Sequence, residues 1–187
     1  MDNKSKILDV AQHLLSLNGL NAFSYKDISH EVGIKTSSIH YYFPSKSDLI
    51  FALINEASMN RKEVMLQWKV NSSIEQLDAF MDFYIQLAKE RKMCLIMSIS
   101  SDMYELDDKI RDELHKFYNF LKDWLISILE DGLRTGHLYY ETSAEKKATE
   151  ILNTVAMIPI LSRIGKDLPL LVDIKDSFLQ SLNEKNC

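Results

Sequence analysis

Between Tyr25 and Lys46 the chain gathers three further or bounding cations (Lys26, Lys35 and Lys46 itself), three hydroxyls in a row (Thr36, Ser37, Ser38) and then His40, Tyr41 and Tyr42. Ammonium groups and phenols suit phosphate oxygens, while hydroxyls and an imidazole can exchange hydrogen bonds with base edges in a major groove. The chemistry written here is recognition of double-stranded nucleic acid rather than bond-making. Thr36, Ser37 and His40 are the expected base-edge contacts. Tyr25, Lys26, Tyr41 and Tyr42 are expected to hold the phosphate backbone, with Ser38 in the same outward cluster. Lys46 stands in the first turn of a helix, where the dipole disfavours a positive charge. A phosphate bound jointly by that lysine and the helix N-terminus would explain it, and a solvated surface lysine is the plain alternative.

Such side chains need a short helix held away from the core, and the neighbouring residues supply one. Ser24 is a candidate N-cap with Asp27 at the capping-box position, so a helix should start there. Ile28 and Val32 give it one apolar face, and Gly33 permits an abrupt change of direction. Ile34 and Ile39 can anchor the second helix, leaving Lys35, Thr36, Ser37, Ser38, His40 and Tyr41 outside. Phe43 precedes Pro44 and is therefore pushed out of helical geometry, its ring free to enter the core. Ser45 and Asp48 repeat the cap-and-box pattern for a third helix.

Gly33-Ile34, Ile39, Tyr42-Phe43, Lys46 and Leu49, together with Phe23-Ser24 and Ile28, resemble the signature of the TetR family of bacterial transcriptional regulators. The resemblance covers about the first 60 residues; beyond them only length and helical content agree. Three positions depart from it: His40 where tyrosine is usual, Lys35 where a small polar residue often caps the recognition helix, and Ser29 where alanine is typical. The resemblance implies a helix-turn-helix head and a dimer whose last two helices form a four-helix bundle with those of a second copy. It also implies an effector cavity among the central helices. Two-fold symmetry would set two heads in successive major grooves about 34–36 Å apart.

The remainder reads as helix throughout, which makes the fold all-α. Ile7, Leu8, Ala11, Leu14 and Leu15 repeat at helical spacing before a stop at Gly19. The Ser45 helix carries on through Leu53 and Ala57 toward the mid-60s, with no flexible linker. A three-helix head over 1–61, with the motif at about 24–43, should precede a helical effector-binding and dimerisation domain over 62–187. Helices are expected from Leu77 to Ala88, over Met93 to Ile99, from Asp107 to Arg134, from Ser143 until Pro159 kinks or ends it, and from Asp173 to Leu182. The Ser143 and Asp173 helices are apolar on more than one face and are the candidate dimer surface.

Trp68, Met81, Tyr84, Met97, Phe117, Phe120 and Trp124 are candidate ligand contacts. Adaptable methionines and aromatic walls suit a small, largely apolar molecule of unspecified identity; ordinary core is the plain reading of each.

Composition removes other classes. The 187 residues are 46% hydrophobic, enough for a sizeable core. No run reaches membrane-span length, and the opening MDNKSK lacks signal-peptide form, so a soluble, cytoplasmic protein is expected. Cys94 and Cys187 offer neither a disulfide framework nor metal spacing. The five histidines never pair at i and i+4, and there is no nucleophile elbow or phosphate loop, so no enzyme, cofactor or metal is expected. Asp107, Asp108, Asp112 and Glu113 suit a helix start.

The net charge of -5 lies wholly beyond residue 50, since the first 50 residues balance five lysines against five acids. A neutral head tempers non-specific affinity for DNA. It also keeps open a second class: a helical dimeric small-molecule-binding or interaction protein on the same fold that no longer reads an operator.

Overall fold

The computed structural model describes residues 2–165 and 167–183; Cys187 lies outside them. Among the described residues there are nine α-helices and no strand. They are α1 (Asn3–Asn18), α2 (Tyr25–Val32), α3 (Thr36–Tyr42), α4 (Lys46–Trp68), α5 (Ser73–Lys89), α6 (Leu95–Ser100), α7 (Asp108–Thr135), α8 (Ala144–Gly165) and α9 (Leu168–Asn183). One-turn 3-10 helices stand at Leu20–Ala22 and Met103–Glu105. Among the described residues no helix is long and apolar enough to cross a membrane.

The chain forms two compact units, Met1–Lys62 with Leu95–Phe117, and Glu63–Cys94 with Tyr118–Cys187. Residues 95–117 fall in the same unit as the first 62 residues. Asn21 Nδ2 donates to Asp102 Oδ1 at 2.9 Å, and the Lys109 ammonium lies 3.9 Å from the centroid of the Phe51 ring. Both ties join residues far apart in sequence, so a linear reading could not see them.

In the first unit Ile7, Ala11, Leu15, Ile28, Ile39, Leu49 and Leu53 are buried together with the ring of Phe43. In the second, α5 packs on α8 and α9. Ser72 caps α5 with Glu75 in the box, its N–H and Oγ donating to the carboxylate at 2.8 and 2.7 Å. The helix therefore starts a turn before the apolar period from Leu77 suggests.

Two prolines lie within helices. Pro159 neither ends α8 nor stops it short of Gly165. Ile158, Pro159 and Ser162 are buried, and Ser162 Oγ donates to the Ala88 carbonyl on α5 at 3.0 Å, so packing offsets the lost backbone bond. The last helix begins at Leu168 rather than Asp173. Asp167 accepts from the Leu170 N–H at 3.3 Å, and Pro169 lies in the first turn, where a backbone N–H has no helical partner to lose. Lys175 of α9 is buried and donates to Asp78 and Asp82 of α5 at 2.7 and 2.6 Å.

Candidate nucleic-acid interface

α2 starts as the sequence requires. The N–H and Oγ of Ser24 donate to Asp27 Oδ2 at 2.8 and 2.7 Å, and these bonds hold the Asp27 carboxyl below its usual range. Gly33 closes the helix in the left-handed region (φ +75°, ψ 34°), its N–H returning to the Ser29 carbonyl. A side chain there would be strained whatever space surrounds it. α3 leaves the turn at Thr36 and stops at Phe43, which is buried. Ser45 then caps α4, donating through Oγ to Asp48 at 2.7 Å, which lowers the Asp48 carboxyl as well.

The candidate contacts separate into two sets. Lys26, Lys35, Ser37, His40, Tyr41 and Tyr42 are exposed. Tyr41 is 81% exposed with its ring edge-on to Tyr42, centroids 5.2 Å apart, which makes it the most open apolar surface on α3. Ser38 is half-buried. Thr36 is half-buried too, and its Oγ1 donates to Ser29 Oγ at 3.3 Å.

Tyr25 and Lys46 are turned inward. The Tyr25 hydroxyl donates to the carbonyls of Phe43 and Ser45 at 2.9 and 2.6 Å, tying α2 to the turn that follows α3. Burial and the nearby Asp48 charge push this phenol up to about 12. The Lys46 ammonium donates to the carbonyls of Leu20 and Phe23 at 2.6 and 2.9 Å and lies 4.6 Å from the Phe23 ring centroid. Burial lowers its pKa, against the opposing pull of Asp102. The Leu20 and Phe23 carbonyls, at the two ends of the 20–22 turn, give a cation at this helix start an internal partner. In the free chain Lys46 is thus held by an internal clamp.

The seven candidate ligand residues divide between the units. Met97 and Phe117 fall in the first; Trp68, Met81, Tyr84, Phe120 and Trp124 fall in the second. Within the second, Trp68, Phe80 and Tyr84 form a connected ring cluster with Trp124, centroids 5.3 to 5.9 Å apart. Met81 and Tyr84 are buried, while Trp68, Phe120 and Trp124 are half-buried. A cleft of about 170 Å³ in the first unit, lined by Leu20, Asn21, Lys46, Ser47, Ile50, Leu106 and Ile110, contains none of the seven.

Ser29 is the residue that sequence reasoning passed over. It appeared there only as a departure from the usual alanine, yet it links α2 to Thr36. Its separation from Thr36 across the glycine turn leaves no periodic signal that could have shown the bond.

A short helix set across a glycine turn, with polar side chains on its open face, defines a helix-turn-helix DNA-binding protein. Residues 7–53 match the family described as bacterial regulatory proteins, tetR family, and residues 73–172 match the tetracyclin repressor-like C-terminal domain. The chain belongs to the TetR family and is a transcriptional regulator, not an enzyme. It is 28% identical to a TetR-family transcriptional regulator from Agrobacterium tumefaciens, with a TM-score of 0.90 over 97% of both chains. With a TetR transcriptional regulator from Legionella pneumophila it shares 32% identity and a TM-score of 0.86 over 96% of each. It is also 29% identical over 124 residues to the biofilm operon icaADBC HTH-type negative transcriptional regulator IcaR of Staphylococcus epidermidis, covering 66% of this chain and 67% of that one.

Proposed function

We propose that this chain is a cytoplasmic, homodimeric repressor that reads a double-stranded operator through α3 and leaves it when a small, largely apolar molecule binds. The observation that carries the reading is the open face of α3: Ser37, His40 and Tyr41 stay exposed on a head whose other helices bury their apolar faces. Repression is supported by the likeness to a negative regulator. Dimerisation is supported by an exposed apolar stripe, Met157, Leu161 and Ile164 on α8 with Leu170 and Ile174 on α9. These residues recur at helical spacing and would meet water in a lone chain. The ring cluster around Trp124 is the favoured effector region, and among the candidate ligand contacts Trp68, Met81, Tyr84, Phe120 and Trp124 rank ahead of Met97 and Phe117.

α4 and α7 each contribute residues to both units, so a change induced in the second has two helical routes into the first. By linkage, operator and effector must weaken each other by the same factor. Equal effector affinity with and without operator would exclude release by this route.

The test is a selection of DNA by the purified full chain, followed by binding measured at two salt concentrations. A single selected operator bound with steep salt dependence supports the reading. Light scattering should give twice the chain mass, and Leu161→Glu with Ile164→Glu should give one chain mass and weak operator binding. The second reading, a dimeric small-molecule-binding or interaction protein without an operator, gains from the inward commitment of Tyr25 and Lys46. It requires that no sequence be selected.

A further inference from the structure

Hydrogen-bond direction on α3 follows from groups that can act in only one sense. A carbonyl oxygen accepts and never donates. His40 Nδ1 lies 3.3 Å from the Pro44 carbonyl, so the proton of the neutral ring must sit on Nδ1. The ring is steadied by Tyr25, its centroid 4.8 Å away. Nε2 is then a bare lone pair on an exposed side chain, with no protein partner among the described residues.

The same logic runs through Thr36. Ser29 Oγ donates its only proton to the Lys26 carbonyl at 2.8 Å. It can therefore only accept from Thr36 Oγ1, which spends the threonine's proton. What Thr36 has left to offer is a lone pair and a methyl group.

Thr36 and His40 are four residues apart, on one face of α3 and about 6 Å apart along its axis. We propose that this face presents two fixed acceptors, Thr36 Oγ1 and His40 Nε2, and so selects exocyclic amino groups, adenine N6 or cytosine N4, at two nearby positions on the strand it faces. Guanine and thymine show only acceptors at that edge and are rejected there. Both devices come from this chain's own residues, Ser29 and His40, rather than from the helix-turn-helix as such. The inference rests on the operator-reading function proposed above and fixes its polarity.

The experiment has two arms. In the free protein, two-bond nitrogen–proton correlation of the His40 ring should show the Nδ1–H tautomer; an Nε2–H tautomer overturns the proposal without any DNA. In the second arm, operators selected by the wild-type chain and by His40→Ala and Thr36→Ala variants locate the two positions, which should be adenine or cytosine. Replacing either base by its analogue without the exocyclic amine should weaken binding by about tenfold. Ser29→Ala frees the Thr36 proton, and that position should then admit guanine or thymine while the His40 position keeps its preference. Guanine or thymine at the wild-type positions, or unchanged binding to the amine-deleted analogues, overturns the acceptor assignment with operator reading intact. A chain that selects no operator loses both.

Discussion

Lys26 and Lys35 look like Lys46 as residues flanking a recognition helix, yet the structure uses the two kinds in opposite ways. The first two are exposed, and the side chain of Lys35 makes no capping bond although it occupies the N-cap of α3. Lys46 spends its ammonium on the carbonyls of Leu20 and Phe23. The tyrosines divide in the same manner, with Tyr41 open and the Tyr25 hydroxyl committed to the carbonyls of Phe43 and Ser45. What decides the role is the supply of unpaired main-chain acceptors. Where the 20–22 turn and the α3–α4 connection leave carbonyls without helical partners, a nearby donor is drawn inward.

The largest effect should come from breaking the clamp. Lys46→Met keeps the packing stem but leaves two carbonyls without their charged donor. Bonds of this kind contribute about 1.5–3 kcal/mol when buried, and partial access of water at this half-buried site reduces the loss to about 1–2 kcal/mol. A fall in Tm of about 4 °C is expected, by thermal melting of the full chain. The salt slope of operator binding should stay as in the wild type. A slope lowered by about one ion with an unchanged Tm would place Lys46 on the phosphate and erase the contrast with Lys26.

This contrast also marks where legibility stopped. Caps and turns were readable because their chemistry is local: Ser24 with Asp27, Ser45 with Asp48, Gly33 at a positive φ, Phe43 before Pro44. Each involves residues within a turn of one another, and the open polar face of α3 followed from them. Unreadable were contacts that depend on where a distant carbonyl or carboxylate ends up. Asn21 with Asp102, Lys46 with Leu20, and Thr36 with Ser29 are examples, and the first of these helps place residues 95–117 in the head. Pro159, expected to kink or end its helix, lies inside α8 for a related reason. A proline's local cost is fixed, but packing on α5 decided whether the helix ended.

Tyr25→Phe should have a smaller effect. It removes one hydroxyl shared between two carbonyls, worth about 1 kcal/mol. Its signature is the pH dependence. In the folded chain the phenol is pushed up to about 12, whereas the unfolded chain releases that proton nearer the ordinary value of 10.0. The folded state therefore holds the proton more tightly, and the stability this provides is complete below the unfolded value and lost as pH rises through the folded one. Denaturant midpoints of wild type and variant should differ at pH 8 and converge at the alkaline end of that window. A constant difference across the window would mean that the hydroxyl does not exchange its proton against these carbonyls, and would move Tyr25 to the outward set.

On the outward side the effects should be smallest for the fold and visible only with DNA. Lys26→Ala and Lys35→Ala remove exposed ammonium groups that make no hydrogen bond or ion pair among the described residues, so stability should stay within about 0.5 kcal/mol of the wild type. If each meets a phosphate, the salt slope of operator binding falls by about 0.9 per lysine. Affinity should drop alike for operator and unrelated DNA, because a phosphate contact carries no base identity. The measurement is binding of one operator and one scrambled duplex over a salt series. A loss confined to the operator would assign that lysine to a base edge. No loss on either duplex would leave α3 without a cationic partner on its open side, and the neutral head would then have to hold DNA by hydrogen bonds from Ser37, His40 and Tyr41 alone.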